Sequence, residues 1–193
     1  LLNYDADIAI HSLKDMSCHD TEGLEIYAAI EHQSRSDVLV YKDKINLDDL
    51  ANIKIGTSSL RRTRQCKHFL KNNNCSEIRG NIDTRLLKLH EDKFDAIILA
   101  KAGIERLGLN VNFIDLDFLP AIGQGIIAVQ CRSNDKKTKT LLDQIKNFEL
   151  LQMIEIERRI VRNLNATCNS ALSISSKIDG KVCQTCIEIY GDN

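Results

Sequence analysis

At 193 residues, with 43% hydrophobic and 27% charged side chains, the chain has enough apolar material for one large or two small domains. No apolar run approaches the ~20 residues of a membrane-spanning helix, and no secretory leader pattern opens the chain. Seven cysteines at irregular spacings indicate reduced thiols in a cytoplasmic compartment rather than a disulfide framework. The net charge of −1 hides an asymmetry: residues 54–106 carry +6, with twelve Lys and Arg against six Asp and Glu, and the remainder carries −7.

In chain order, ADIAIH (6–11) is a short apolar run of the kind buried in a parallel sheet, followed by the polar turn SLKD. LEIYAAI (24–30) and DVLVY (37–41) read as two more strands, with a joint near residues 31–36. IKIG (53–56) is a strand that breaks at Thr57-Ser58-Ser59 into a helix beginning LRR. SEIRG (76–80) is a strand leading through Asn81 or Asp83, as N-cap, into the helix TRLLKLHED. FDAIILA (94–100) is the clearest buried strand, and Gly108 is a plausible cap for the helix after it. Three strand-to-helix units in succession predict crossovers and a mainly parallel sheet.

The later chain is different. GIIAVQC (125–131) reads as a strand, Asn134 as the cap of an amphipathic helix to about Ile145, and Asn147 as the cap of another. ATCNSAL is a loop, and two strand-like runs split by Asp179-Gly180 form a hairpin. The only proline, Pro120, sits in DFLPAIGQG, an expected crossing between domains.

In open α/β sheets ligands bind beyond the carboxyl ends of strands. Four polar clusters fall there: Ser12–Asp15, Thr57–Arg62, Arg79–Arg85 and Lys101–Arg106. At the second, a helix start offers backbone N–H groups and hydroxyls to an anion. Arg61 and Arg62 add two guanidinium forks, placed where a cation is unfavourable unless an anion compensates. The alternative is solvated surface arginines. Asp15 reads either as an ordinary turn aspartate or as an ionised carboxylate that holds a developing cation, and spacing leaves both open. Cys168 lies in a polar loop; a lone cysteine is most often a small buried hydrophobe. Cys183 and Cys186 form a CxxC within a strand-like run, with no second pair and no helix start, which disfavours a zinc or redox role.

Taken together, ADIAIHSLKD, GTSSLRR, RGNIDTRLLKL, FDAIILAKAGIERLGL and LPAIGQGIIAVQCR, in this order and spacing, resemble the porphobilinogen deaminase (hydroxymethylbilane synthase) family, from residue 5 to about 170. The resemblance implies an α/β fold with mixed sheets in two domains like type II periplasmic binding proteins, a cleft between them, and a small third α+β domain. Residues 1–30 and 125–146 would be a remnant of domain 1, 33–122 domain 2, and 148–193 part of domain 3. It also implies a dipyrromethane cofactor joined by a thioether to Cys168, with Asp15 catalytic. Ser12, Lys14, Ser59, Arg61 and Arg62 match residues that hold the cofactor. Arg79, Arg85 and Arg106 match those that receive porphobilinogen and the growing chain.

The implied reaction condenses four porphobilinogen molecules head to tail with loss of ammonia, in tetrapyrrole and heme biosynthesis. Each ring brings two carboxylates, which suits a field of arginines, and a cytoplasmic monomer is expected. Two departures stand out: Ala166-Thr167 replaces Gly-Gly before Cys168, and Ser17 replaces the proline of the HSxKDVP motif. A fragment lacking the family's first strands is expected to be inactive alone. The rival reading is a non-catalytic small-anion binding module. Nucleic-acid binding is disfavoured, because aromatics are 5% and the arginines lie at separate strand ends.

Overall fold

The computed structural model describes residues 1–31, 34–42, 45–166 and 170–191. It divides into two compact units: Leu1–Gln33, Ala121–Cys168 and Ile174–Ile187 form the first, and Ser34–Pro120, Asn169–Ser173 and Glu188–Asn193 the second. The chain passes from the second to the first directly after Pro120. Stretches of residues 148–193 fall in both units.

The first unit is built on three antiparallel strands in the order β1-β8-β2, where β1 is Ile8–Ser12, β2 Leu24–Glu31 and β8 Ile126–Arg132. The expectation of a parallel setting for ADIAIH is therefore corrected. β1 is an edge strand on which Ile8 and Ile10 are exposed, so its apolar run did not signal two buried faces. Alternate residues of β2 and β8 serve two small cores. Ala29, Ile126 and Ala128 pack with Leu13 and with Leu150 and Ile154 of helix α5 (Phe148–Asn163), while Ala28, Val129 and Cys131 pack with Leu142 of α4 (Lys136–Leu142). Asn147 caps α5 as expected, its side chain accepting from Leu150 N–H at 3.0 Å. The cap of α4 is Asp135 rather than Asn134: its carboxylate accepts from Thr138 N–H at 3.0 Å and is also held by Arg132 at 2.7 Å. A carboxylate gains from the helix dipole and from the adjacent guanidinium, which the neutral amide one position earlier does not.

The second unit holds a five-stranded sheet in the order β5-β4-β6-β3-β7. Here β3 is Asp37–Tyr41, β4 Ile55–Gly56, β5 Cys75–Ser76, β6 Ala96–Ala100 and β7 Asn112–Leu116. β4 runs parallel to β5 and β6, as the strand-helix alternation predicted, with α1 (Leu60–Phe69) and α2 (Ile82–His90) as the connecting helices. β3 is antiparallel to both its neighbours, so the sheet is mixed rather than mainly parallel. The segment 76–80 supplies only the end of β5, and the rest is loop. Val38, Val40, Ile97 and Leu99 face one core, and Leu39, Ala96 and Ile98 face the other. That period of two, with both faces covered, explains why β6 reads as an uninterrupted apolar run. Gly108 ends α3 (Lys101–Leu107) in the left-handed conformation, φ 60°. β9 (Leu172–Asp179) and β10 (Val182–Ile189) form the expected hairpin around Gly180. Among the described residues, no helix is long and apolar enough to cross a membrane.

Candidate functional site

In the first unit β1 ends at Ser12 and the chain makes a single 3-10 turn, Leu13–Asp15. Leu13 is buried in the core beneath it, Lys14 is half-buried, and Asp15 is exposed. The Ser12 hydroxyl makes no capping bond to this turn, so it is not consumed there. What holds the turn down is a tight fit. Gly123 has φ 63°, and a Cβ on it would lie 2.5 Å from Leu13 Cγ. Only glycine satisfies both the left-handed backbone and this close approach. Gly123→Ala is expected to lower stability by at least about 2 kcal/mol, the sum of backbone strain and overpacking. It should also displace the Asp15 turn. A urea midpoint indistinguishable from the parent's would contradict this.

Asp15 and Ser12 line an open cleft of about 460 Å³, together with His19, Asp20, Glu25 and Arg158. Three carboxylates on its wall suit N–H donors or a positive charge. Arg158, on α5, was not singled out from sequence. It is buried and bonded to Asp20 at 3.2 Å, and Asp20 also takes Arg162 at 3.0 Å. Helical spacing alone gave Arg158 the look of one more charge on a solvated face.

In the second unit the parallel register sets Gly56 beside Ser76 and Ile97, so β4 and β5 end together and β6 runs three residues further, to Ala100, toward the same edge of the sheet. The clusters at Thr57–Arg62, Arg79–Arg85 and Lys101–Arg106 begin at that edge. The turn at 57–59 is well bonded internally. Ser59 accepts from Arg62 N–H at 3.4 Å, Thr57 Oγ1 accepts from Ser59 N–H at 3.2 Å, and the Ser58 hydroxyl donates to the Ile78 carbonyl. The expected row of open N–H groups is thus partly spent on shaping the turn.

Arg61 and Arg62 are not solvated surface arginines: they are 4% and 7% exposed. Both are held by Asp37, the first residue of β3, which is fully buried and gives one oxygen to each, at 2.8 Å to Arg61 and 2.7 Å to Arg62. Arg61 also donates to Gln65 (2.7 Å) and to the Leu119 carbonyl (2.9 Å), and Arg62 to the Ile98 carbonyl (3.1 Å). Burial draws the Arg61 guanidinium below its ordinary pKa, and Asp37 pulls it back up. One carboxylate against two buried guanidiniums leaves a net positive charge. The Nε of each is buried with no hydrogen-bond partner among the described residues. Buried N–H groups are nearly always satisfied, so these two mark a place for an acceptor. Asp37 is the functional residue that sequence reasoning missed, since it lies 24 residues before Arg61 and looks like an ordinary strand start.

Arg85 belongs with this pair. It is half-buried, its Nε donates to the Gly80 carbonyl at 2.8 Å, and its pKa is lowered by burial and then by the charge of Arg62. Arg79 does not join them: it is exposed and bonded to Glu77 at 2.7 Å. Arg106 is exposed in the last turn of α3, five residues beyond Lys101 and so roughly 8 Å along the axis from the sheet edge. Cys168 lies outside the described residues. Cys183 and Cys186 are exposed on β10.

Residues 1–140 match the family model described as porphobilinogen deaminase, dipyromethane cofactor binding domain. The chain is 41% identical over 207 residues to the porphobilinogen deaminase of Coxiella burnetii (strain RSA 493 / Nine Mile phase I), covering 98% of this chain and 67% of that protein. It is 38% identical over 184 residues to the probable porphobilinogen deaminase of Methanocaldococcus jannaschii, covering 94% of this chain and 63% of that one. The Listeria welshimeri porphobilinogen deaminase is 43% identical over 176 residues, 87% of this chain and 57% of that one. Among solved structures, an amino acid ABC transporter substrate-binding protein from Streptococcus pneumoniae shares 15% identity over 84% of this chain and 65% of that one, with a TM-score of 0.43. The chain thus spans about two thirds or less of the length of these relatives, and at this identity over nearly all of its own length it belongs to the porphobilinogen deaminase family.

Proposed function

We propose that the whole protein condenses porphobilinogen into the linear tetrapyrrole hydroxymethylbilane, as a cytoplasmic, monomeric transferase of tetrapyrrole biosynthesis that binds neither nucleic acid nor membrane. The observation that carries the reading is the buried Arg61–Asp37–Arg62 group, with its net positive charge and two unsatisfied Nε–H donors. Such a group takes a carboxylate, and pyrroles bearing acetate and propionate bring two apiece. The residues present therefore fit a dipyrromethane, held by Ser12, Lys14, Ser59, Arg61 and Arg62 and attached through Cys168. When bound, that group would supply the free pyrrole α-carbon to which the first ring is joined, and the terminal pyrrole of the chain would offer it thereafter.

The chain's own residues do the rest. Arg62 and Arg61 orient carboxylates by charge-assisted bonds, each contributing about 1.5–3 kcal/mol net. Arg85, whose pKa is drawn down by burial and by the charge of Arg62, gains from an arriving anion, and with Arg79 and Arg106 it takes the carboxylates of porphobilinogen and of the lengthening chain. Asp15, exposed on a turn pinned by Leu13, accepts from pyrrole N–H groups, stabilises positive charge as ammonia leaves, and moves the proton. Residues 148–193 would open the third domain that carries the anchoring thiol.

Denaturing mass spectrometry of the whole protein tests this directly. The parent is expected to carry a covalent dipyrrole adduct, and Cys168→Ala to lose it. An unmodified parent that still binds small anions would instead support a non-catalytic binding module.

A further inference from the structure

The second unit holds a pocket that the porphobilinogen chemistry does not use. It measures about 580 Å³ and lies between the C-terminal half of α1 and residues 188–191, all within that unit. Arg64, Lys67 and His68 line it from one face of the helix, at the spacing i, i+3, i+4, and Lys71 lines it just past the helix end. Against the three cations Arg64, Lys67 and Lys71, the described wall carries one carboxylate, Glu188.

Rings supply the rest of the lining. His68 packs edge-on to Phe69 with centroids 4.7 Å apart, and lies 6.3 Å from the ring of Tyr190. Phe69 and Ile189 are 45% and 64% exposed. The dipole of α1 accounts for cations near its C-terminus, and Lys71 donates to the His68 carbonyl at 2.8 Å. It does not account for two large apolar side chains kept in water beside those cations.

The wall opposite α1 is fixed from beneath. Tyr190 donates through its hydroxyl to Glu188 at 2.5 Å and through its backbone N–H to the Ala171 carbonyl at 3.0 Å. Burial, and then the bond to Glu188, hold the Tyr190 hydroxyl above the ordinary phenol pKa, so it stays a neutral donor. Glu188 also accepts from Gln65 at 3.1 Å, and Gln65 is fully buried and donates to the Leu119 carbonyl at 2.9 Å. A wall held by buried hydrogen bonds is ordered before a ligand arrives, which lowers the cost of binding.

We propose that this pocket is a second anion site, which takes a small aromatic carboxylate with its ring against Phe69, His68 and Tyr190 and its carboxylate toward Arg64 and Lys67. The volume falls within the range of roughly 300–1,000 Å³ usual for small-molecule sites. Basic groups alone would serve inorganic phosphate equally well; the rings are what select an aromatic anion.

Photolabelling of the whole protein with 4-benzoylbenzoate, a two-ring carboxylate, followed by peptide mapping tests this. The label is expected within residues 67–71 or 188–191, saturating with concentration. Excess 1-naphthoate should remove it, whereas inorganic phosphate at the same concentration should not. Lys67→Glu should lower labelling below saturation by about fivefold or more, since reversal exceeds the loss of one exposed ion pair. Lys67 is exposed, and the map of the parent locates the site whether or not the variant folds. The proposal is overturned if the label fails to saturate, or is confined to other peptides, the Arg61–Arg62 turn included. It is equally overturned if a folded Lys67→Glu labels as the parent does, or if phosphate competes as well as naphthoate.

Discussion

Asp37→Ala will lower the unfolding free energy of the whole protein by about 3–5 kcal/mol, the usual consequence of stripping the counter-charge from a buried ion pair. Asp37 is fully buried and serves two guanidiniums that are themselves almost without solvent, so neither arginine can recover its lost partner from water. Asp37→Asn keeps the shape and one acceptor oxygen, but turns an NH₂ group toward the other arginine, and is expected to fall between alanine and the parent. Arg79→Ala is the control. Its partner Glu77 is exposed like Arg79 itself, and the midpoint should not move. Urea unfolding followed by circular dichroism ranks the three. If Asp37→Ala proved no less stable than Arg79→Ala, the buried triad would not be the support we take it for.

The second large effect falls on chemistry rather than stability. Asp15→Asn is expected to lower kcat for porphobilinogen consumption by roughly 10²–10⁴-fold, the range for a positioned acid–base group. The Cys168-linked adduct and the thermal midpoint should remain, because Asp15 is exposed and the turn beneath it is held by Leu13 and Gly123. The contrast between the two aspartates is instructive. One is buried and organises cations in the second unit; the other is exposed on a cleft wall in the first. Turnover within about threefold of the parent would remove Asp15 from the catalytic role, since that is far below the acid–base range.

Much of this was legible in the sequence where the signal is local. Ser59, Asn81 and Asn147 cap their helices because a side-chain oxygen needs only the N–H three residues ahead. The Asp179-Gly180 turn needs only its own backbone freedom. The ends of β4 and β6 follow from apolar runs that stop at polar turns, whereas β5 ends at Ser76, four residues before the Gly80 that the sequence predicted. Family motifs then attached a chemistry to those positions.

What the tertiary structure alone decided is which charges meet. Arg61 and Arg62 read as forks for an anion from outside, and nothing in the sequence showed that β3 sets Asp37 against them; strand direction is a property of pairing that no run of five apolar residues encodes. The same holds for the edge position of β1 and for Asp135 displacing Asn134 as a cap through its contact with Arg132. Local propensity acts over three or four residues, whereas a buried ion pair is settled by distance in space and by the exclusion of water. The sequence by itself therefore determined that this chain collects cations at strand ends, and only the fold decided that two of them are buried around one carboxylate, each with an Nε–H donor to spare.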